Sequence, residues 1–324
     1  MNYNRKEPFL LKLLRKTKIF YVKTGLTQKF VNYFEQDTND FLYENISKAF
    51  NSYKGYMITR FGTTELENYC CFKSLHHKNL FKDFWYAMQN LKNYNPAYIF
   101  PNLGYLSGFF PNDIVLGDKW YELVNNDIKE IDILCSYLKL EKYLSDELNG
   151  IPKIDFYGFL CPFLNKNPWT RFLKNKKVLV IYPFKESIES QYKKRENLFS
   201  NPDVLPEFKK LTVIKAVQTI ADNKSEFKDW FDALHYMENE IDKADFDVAL
   251  IGCGAYGMDL AAYCKRKGKI GIHMASYVQV LFGIYGTRWE NDPIVKPYIN
   301  EYWARPLETE KPENYKKVEK GCYW

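Results

Sequence analysis

Residues 246–273, FDVALIGCGAYGMDLAAYCKRKGKIGIH, run from an apolar stretch through a glycine turn into a helical pattern and a second apolar stretch. That succession reads as strand, turn, helix and strand, the unit from which parallel sheets are built. Gly252, Gly254 and Gly257 fall in the spacing GxGxxG. Glycine there meets either of two demands: a sharp turn that lets an anionic ligand approach the N–H groups at the helix start, or close packing of helix on strand. The first demand points to a nucleotide or another phosphorylated ligand. A nicotinamide dinucleotide is disfavoured, because the second strand of such a unit usually ends in an acid that holds the ribose hydroxyls. Here it runs into His273, Met274, Ala275 and Ser276.

Strand and helix signals alternate elsewhere too. Residues 39–53 carry a helical pattern and 55–61 an apolar strand; Gly62, Thr63 and Thr64 then offer a turn and cap for a helix beginning at Glu65. Helical periodicity recurs over 80–93 and 118–148, and the Pro- and Gly-punctuated stretch between them, 95–113, reads as a loop or lid. Further strands are expected at 153–160, 176–184, 211–217, 247–253 and 269–275, with helices near 186–199, 225–243 and 257–267. This alternation predicts an α/β fold: a Rossmann-like, doubly wound, mainly parallel sheet with helices on both faces, spanning residues 39–324 as one domain with a C-terminal extension. Ligands of such sheets bind beyond the carboxyl ends of the strands.

Composition narrows the partners. The net charge of +6 sits in the N-terminus, where residues 1–30 hold eight Lys or Arg against the single acid Glu7, leaving the rest of the chain close to neutral. Within residues 1–38, Leu10, Leu13, Leu14 and Tyr21 share a helical face opposite Lys12, Arg15, Lys16 and Lys23. The pattern suits either peripheral attachment to an anionic membrane surface or a solvated helix. Nucleic acid is not expected as a partner, since basic residues elsewhere are balanced and no aromatic RNA-binding motif occurs. No apolar run reaches the roughly eighteen residues that span a bilayer, and no cleavable signal is evident, so the expected location is the cytoplasm or the inner face of the cytoplasmic membrane. Seven cysteines show no CxxC spacing and read as reduced core residues.

The predicted strand ends collect candidate site residues. After the first strand come Arg60, a phosphate partner, then Gly62 and Glu65, the latter either a general base or metal ligand, or an acid facing the helix dipole. Glu67 follows as a second metal candidate. After the strand at 176–184, Ser187 offers a cap and Lys185, Gln191, Lys194 and Arg195 a second anion site or a solvated face. Beyond the glycine turn, His273 and Gln279 are donor-site candidates, His273 reading equally as a hydrogen-bonded core histidine.

ITRFGTTELENY and GCGAYGMDLAAYCKRKGKIGIHMASYVQVLFG together resemble the R-x-G-D-G-E signature and the later glycine turn of bacterial glycosyltransferases with the GT-D fold, and they occur in that family's order. The tail from Arg288 is similar to the closing segment of proteins encoded near surface-polysaccharide genes. The resemblance implies a Rossmann-like sheet and a nucleotide-sugar donor. It also implies a glycan or lipid-linked glycan acceptor and a divalent cation, Mn2+ or Mg2+, held by the D-x-E acids. Arg60, Gly62 and Glu65 match the signature, whereas its Asp is Thr63 and its second Gly is Thr64. Threonine lacks the carboxylate charge, which puts metal dependence in question. The expected activity is sugar transfer with Glu65 as base and Arg60, Gly62, Lys185, Ser187, Gly252, Gly254, Gly257, His273 and Gln279 around the donor. The alternatives are an NAD(P)-dependent oxidoreductase and a non-catalytic nucleotide-binding module.

Overall fold

The structure, a computed structural model, describes residue 13, residues 37–76 and residues 96–324. The basic N-terminal segment up to residue 36, Leu13 apart, and the helix expected at 80–93 lie outside the described residues. Strands β1 (Tyr56–Arg60), β2 (Ile133–Cys135), β3 (Lys153–Ile154), β4 (Lys177–Tyr182), β5 (Lys210–Lys215), β6 (Val248–Ile251) and β7 (Ile270–His273) form one sheet in the order β3-β2-β1-β7-β6-β4-β5. Every pairing between them is parallel. The fold is the α/β, Rossmann-like doubly wound one.

Both faces of the sheet are covered, so its strands are apolar on both sides. Along β4, Leu179 and Ile181 enter one core while Val178, Val180 and Tyr182 enter the other, the period-two alternation of a pleated strand. The first core lies under α2 (Thr63–His76), α3 (Pro96–Ser107), α4 (Ile114–Asp127), α8 (Trp230–Lys243) and α9 (Gly257–Arg266). The second lies under α1 (Thr38–Asn51), α5 (Phe156–Leu160), α6 (Lys185–Tyr192), α10 (Tyr277–Leu281) and the C-terminal segment; α7 (Arg195–Leu198) and α11 (Thr287–Glu290) flank it. Handedness explains the division. Crossovers β1 to β2 and β6 to β7 move one way along the sheet and carry their helices on the first face; β4 to β5 moves the other way and carries α6 on the second, as right-handed connections require. β4 and β6 are neighbours whose chains then diverge in opposite directions, which opens a crevice above their carboxyl ends.

Local signals set the helix ends. The Asp37 carboxylate accepts from Asn39 N–H at 2.8 Å and Asp40 N–H at 3.2 Å, a cap contributing about 1 kcal/mol. Three expectations are corrected. Only 108–113 of the stretch at 95–113 is loop: residues 96–107 are helical despite Pro101 and Gly104, because Ile99, Phe100 and Leu103 fall on one face and enter the first core. Residues 118–148 are not one helix, since the apolar run around Ile133 forms β2 inside the sheet; short apolar runs fit buried strand and buried helix alike. At 153–160 the strand ends after Ile154, where the Asp155 carboxylate accepts from Gly158 N–H at 2.8 Å and starts α5. All seven cysteines are free and buried. Among the described residues no helix is long and apolar enough to cross a membrane.

Beneath the glycine turn, Asp259 on α9 is buried with no donor to either oxygen, beside Asp127 of α4, which accepts from Arg266 Nη1 at 2.7 Å. A proton shared between the two carboxyls would bridge one oxygen of each, and burial, then the Asp127 charge, hold the Asp259 pKa well above its ordinary 3.8. A folded-state pKa above the unfolded one contributes stability below the unfolded value and loses it as pH rises through the folded value. Asp259→Asn is therefore expected to flatten that slope, matching or exceeding wild-type stability at pH 8 without exceeding it at pH 4. Urea midpoints at the two pH values check it; an equal loss at both would show that the proton is not shared.

Candidate functional site

A cleft of about 270 Å³ sits above the carboxyl ends of the strands. β1 brings Arg60 and the turn into α2, Gly62 to Glu65; β4 brings Tyr182; the turns after β6 and β7 bring Gly252, Cys253, Gly254, Ala275 and Ser276. Two further elements close it, one from the stretch 95–113 read as a loop or lid and one from the tail, which the sequence did not assign to the site. The end of α3 supplies Ser107 and Gly108, and the C-terminal segment supplies Arg288, Glu319 and Tyr323.

Arg60 extends from the end of β1 with its guanidinium carbon 5.0 Å from the Tyr137 ring centroid. Its Nε is buried without a hydrogen-bond partner, and burial lowers its pKa although the neighbouring Cys135 and Glu65 oppose the shift. Arg60 is half-buried, and a buried donor left unspent is costly to the free protein. Glu65 stands at the third position of α2, whose helix starts at Thr63 rather than after the two threonines. Its carboxylate folds back over Gly62, into the space a Cβ there would fill. No hydrogen bond or ion pair among the described residues engages it, while its charge acts on the neighbouring Arg60.

His273 ends β7 and touches the cleft with its ring edge, but it is buried and its Nδ1 lies 3.1 Å from Thr59 Oγ1. Burial first, then the Arg60 charge, push its pKa down to about 3. The imidazole is neutral at physiological pH and supplies no positive charge to a phosphate. It is a hydrogen-bonded core histidine that also lines the cleft.

The glycine turn serves packing more than expected. A Cβ on Gly257, which does not line the cleft, would strike the His273 ring, and one on Gly252 would meet the Ala275 carbonyl and Tyr182 Cε2, the latter at 2.8 Å. The Gly252 N–H is spent on Ile181 O at 3.0 Å and is not offered to a ligand. Gly254 has φ +58° and would place a Cβ against the Ser107 carbonyl of α3, not into open cleft. Gly254→Val is accordingly expected to cost about 2 kcal/mol or more of stability through left-handed backbone and collision, beyond any effect on binding. An unchanged denaturation midpoint would contradict this.

The anion site expected around α6 dissolves. Ser187 Oγ donates to Glu310, whose carboxylate also accepts from Glu186 N–H at 2.8 Å and Ser187 N–H at 3.2 Å. A glutamate from the C-terminal segment thus caps α6, and Ser187 is tied down beneath it. Gln191 Nε2 donates to the Gly283 and Tyr302 carbonyls, while Lys185 does not line the cleft. Gln279 is also structural: it accepts from Tyr182 Oη at 2.8 Å and donates to Tyr323 O at 3.3 Å, joining β4 to the C-terminal segment. Nor do Glu65 and Glu67 form a pair. Residues two apart on a helix diverge by about 200°, and Glu67 does not line the cleft.

Arg288 is the second cation of the cleft. Its Nη2 donates to Glu319 Oε2 at 2.8 Å and its Nη1 to Tyr323 Oη at 2.7 Å. Glu319, Lys320 and Gly321 hold three successive left-handed conformations, φ +44°, +60° and +78°, and Ala275 another at +52°. Strained non-glycine backbone, costing on the order of 1–3 kcal/mol per residue, clusters where function over-determines conformation. Among the described residues no group of three or more His, Cys, Asp and Glu side chains is disposed to hold a metal ion. With Thr63 neutral, Glu67 outside and Glu319 paired with Arg288, Glu65 is the one carboxylate of the cleft outside an ion pair, so Mg2+ or Mn2+ there would take its other ligands from a diphosphate and water.

Fold and cleft define an α/β protein with a crevice at the carboxyl ends of a parallel sheet, lined by two arginines and two glutamates. No protein-family model, curated protein or solved structure matches the chain.

Proposed function

We propose that the cleft binds a nucleotide diphosphate sugar and transfers the sugar to a hydroxyl of a glycan or lipid-linked glycan. The observation that carries this reading is convergence. The segments containing Arg60 to Glu65 and Gly252 to Gly254, far apart in sequence, meet in one cleft with Arg288, which is paired with Glu319.

In the proposed reaction Glu65 takes the proton of the acceptor hydroxyl as its oxygen bonds to the anomeric carbon. The bond from that carbon to the diphosphate oxygen breaks, and the diphosphate leaves with the electron pair. Arg60 and Arg288 oppose the charge that develops. No step is routed through a divalent cation; Glu65 with the diphosphate would be the place to hold one. A panel of nucleotide sugars assayed for release of the nucleoside diphosphate, with and without a glycan acceptor, tests the reading. Acceptor-dependent release supports it, and hydride transfer to a nicotinamide dinucleotide would replace it with the oxidoreductase alternative.

The basic segment 1–38 is proposed as a peripheral anchor to anionic lipid on the inner face of the cytoplasmic membrane. Full-length protein is expected to sediment with acidic vesicles at low salt, to release as salt rises and to lose the association without residues 1–30. Equal sedimentation with neutral vesicles would refute it.

A further inference from the structure

A second, more open cleft of about 380 Å³ adjoins the first and shares Pro183, Val217, Gln218 and Thr219 with it. It lies beyond the carboxyl end of β5, between the loop after that strand, the start of α8 and the C-terminal segment. Its chemistry differs from that of the first cleft. Phe227 and Tyr236 form a tilted aromatic pair with centroids 5.0 Å apart, and Tyr236 remains 41% exposed. Large exposed rings beside amide and hydroxyl groups suit the C–H face of a sugar, which is apolar while its rim is polar. Two lysines, Lys215 at the end of β5 and Lys224 in the following loop, line the same cleft, and neither is in an ion pair among the described residues. The other charged residues are engaged or outnumbered: Lys311 pairs with Glu308 at 2.5 Å, Glu310 caps α6, and Glu226 is the remaining acid.

We infer that this second cleft is the acceptor subsite and that it takes an acidic carbohydrate, with a sugar ring on Tyr236 and Phe227 and a carboxylate or phosphate between Lys215 and Lys224. The assignment as acceptor subsite rests on the donor reading of the first cleft; the binding of an acidic sugar does not. The shared wall explains how an acceptor hydroxyl reaches the donor without leaving the protein surface.

Calorimetric titration of the full-length chain with trigalacturonate, glucose 1-phosphate and neutral maltotriose tests it. At least one acidic probe is expected to bind tenfold or more tighter than maltotriose. The double variant Lys215→Glu, Lys224→Glu is expected to lose at least tenfold of that affinity, and Tyr236→Ala to weaken it comparably. Preference for trigalacturonate identifies a carboxylate ligand and preference for glucose 1-phosphate a phosphorylated one. Absence of binding by all three probes, equal binding of maltotriose, or full affinity in the lysine variant would overturn the inference. Titrating uridine diphosphate into the same samples separates the two readings. Nucleotide binding without acidic-sugar binding sinks the subsite alone, whereas the reverse sinks the donor cleft and leaves the sugar site standing.

Discussion

Replacing Glu65 by Gln is expected to reduce sugar transfer by about a hundredfold or more while leaving the fold and the affinity for the nucleotide close to wild type. The expectation follows from the position of the carboxylate. It folds over Gly62 at the rim of the cleft, in the first turn of α2, with no hydrogen bond or ion pair among the described residues to consume it. Gln keeps the volume and most of the polarity but cannot accept a proton, and loss of a general base costs roughly 10²–10⁴ in rate. A helix-start acid that only complements the dipole contributes about 0.3–1 kcal/mol of stability and nothing to turnover. Rate and stability thus separate the two roles. A variant that is slower but equally stable identifies the base; one that turns over normally and melts earlier identifies the dipole partner.

The second large effect is expected at Arg60, where binding and stability should move in opposite directions. Burial is the leading cause of its lowered pKa, and its Nε has no partner. The charge is therefore a cost to the free protein that a bound anion offsets. Arg60→Met keeps the length of the side chain against Tyr137 and removes the charge. It is expected to leave stability unchanged or raised, and to weaken nucleoside diphosphate binding by about a hundredfold, the scale of 2–5 kcal/mol for losing one partner of a buried charge pair. Urea denaturation together with titration of uridine diphosphate reads both effects. A destabilised variant with wild-type affinity would mean that Arg60 serves only to stack on Tyr137.

The layout of the sheet was legible because its strands are buried on both faces and so appear as continuous apolar runs, VLVIY and VALIG above all. β2 escaped because three residues inside an apolar stretch carry no periodicity of their own. α3 escaped because Pro101 and Gly104 punctuate it locally, while Ile99, Phe100 and Leu103 gain enough from burial to hold the helix. In the site, Arg60, Gly62, Glu65 and the turn at Gly252 and Gly254 were legible, since strand ends in parallel sheets face the crevice. Lys185 lies outside the cleft lining; Ser187 and Gln279 are spent on the C-terminal segment, through Glu310 and Tyr323 O, and that segment folds through short turns without a repeating pattern. Arg288, Glu319 and Tyr323 stayed hidden for the same reason. The only signal was the concentration of charged and aromatic residues in the tail, and spacing alone does not say where such a tail docks. The glycines show the complementary lesson. One spacing serves phosphate binding and close packing alike, and here Gly257 is explained by the His273 ring alone.

The central claim, that the cleft at the strand ends holds a nucleotide diphosphate through Arg60, is tested most directly by thermal unfolding of wild type and Arg60→Met against increasing nucleotide sugar. A ligand that binds only the native state raises the midpoint with the logarithm of its saturation. The account predicts a concentration-dependent rise for at least one nucleotide sugar in the wild type and little or none in Arg60→Met. A rise of the same size in both proteins, or stabilisation by nicotinamide dinucleotides and by no nucleotide sugar, would contradict it.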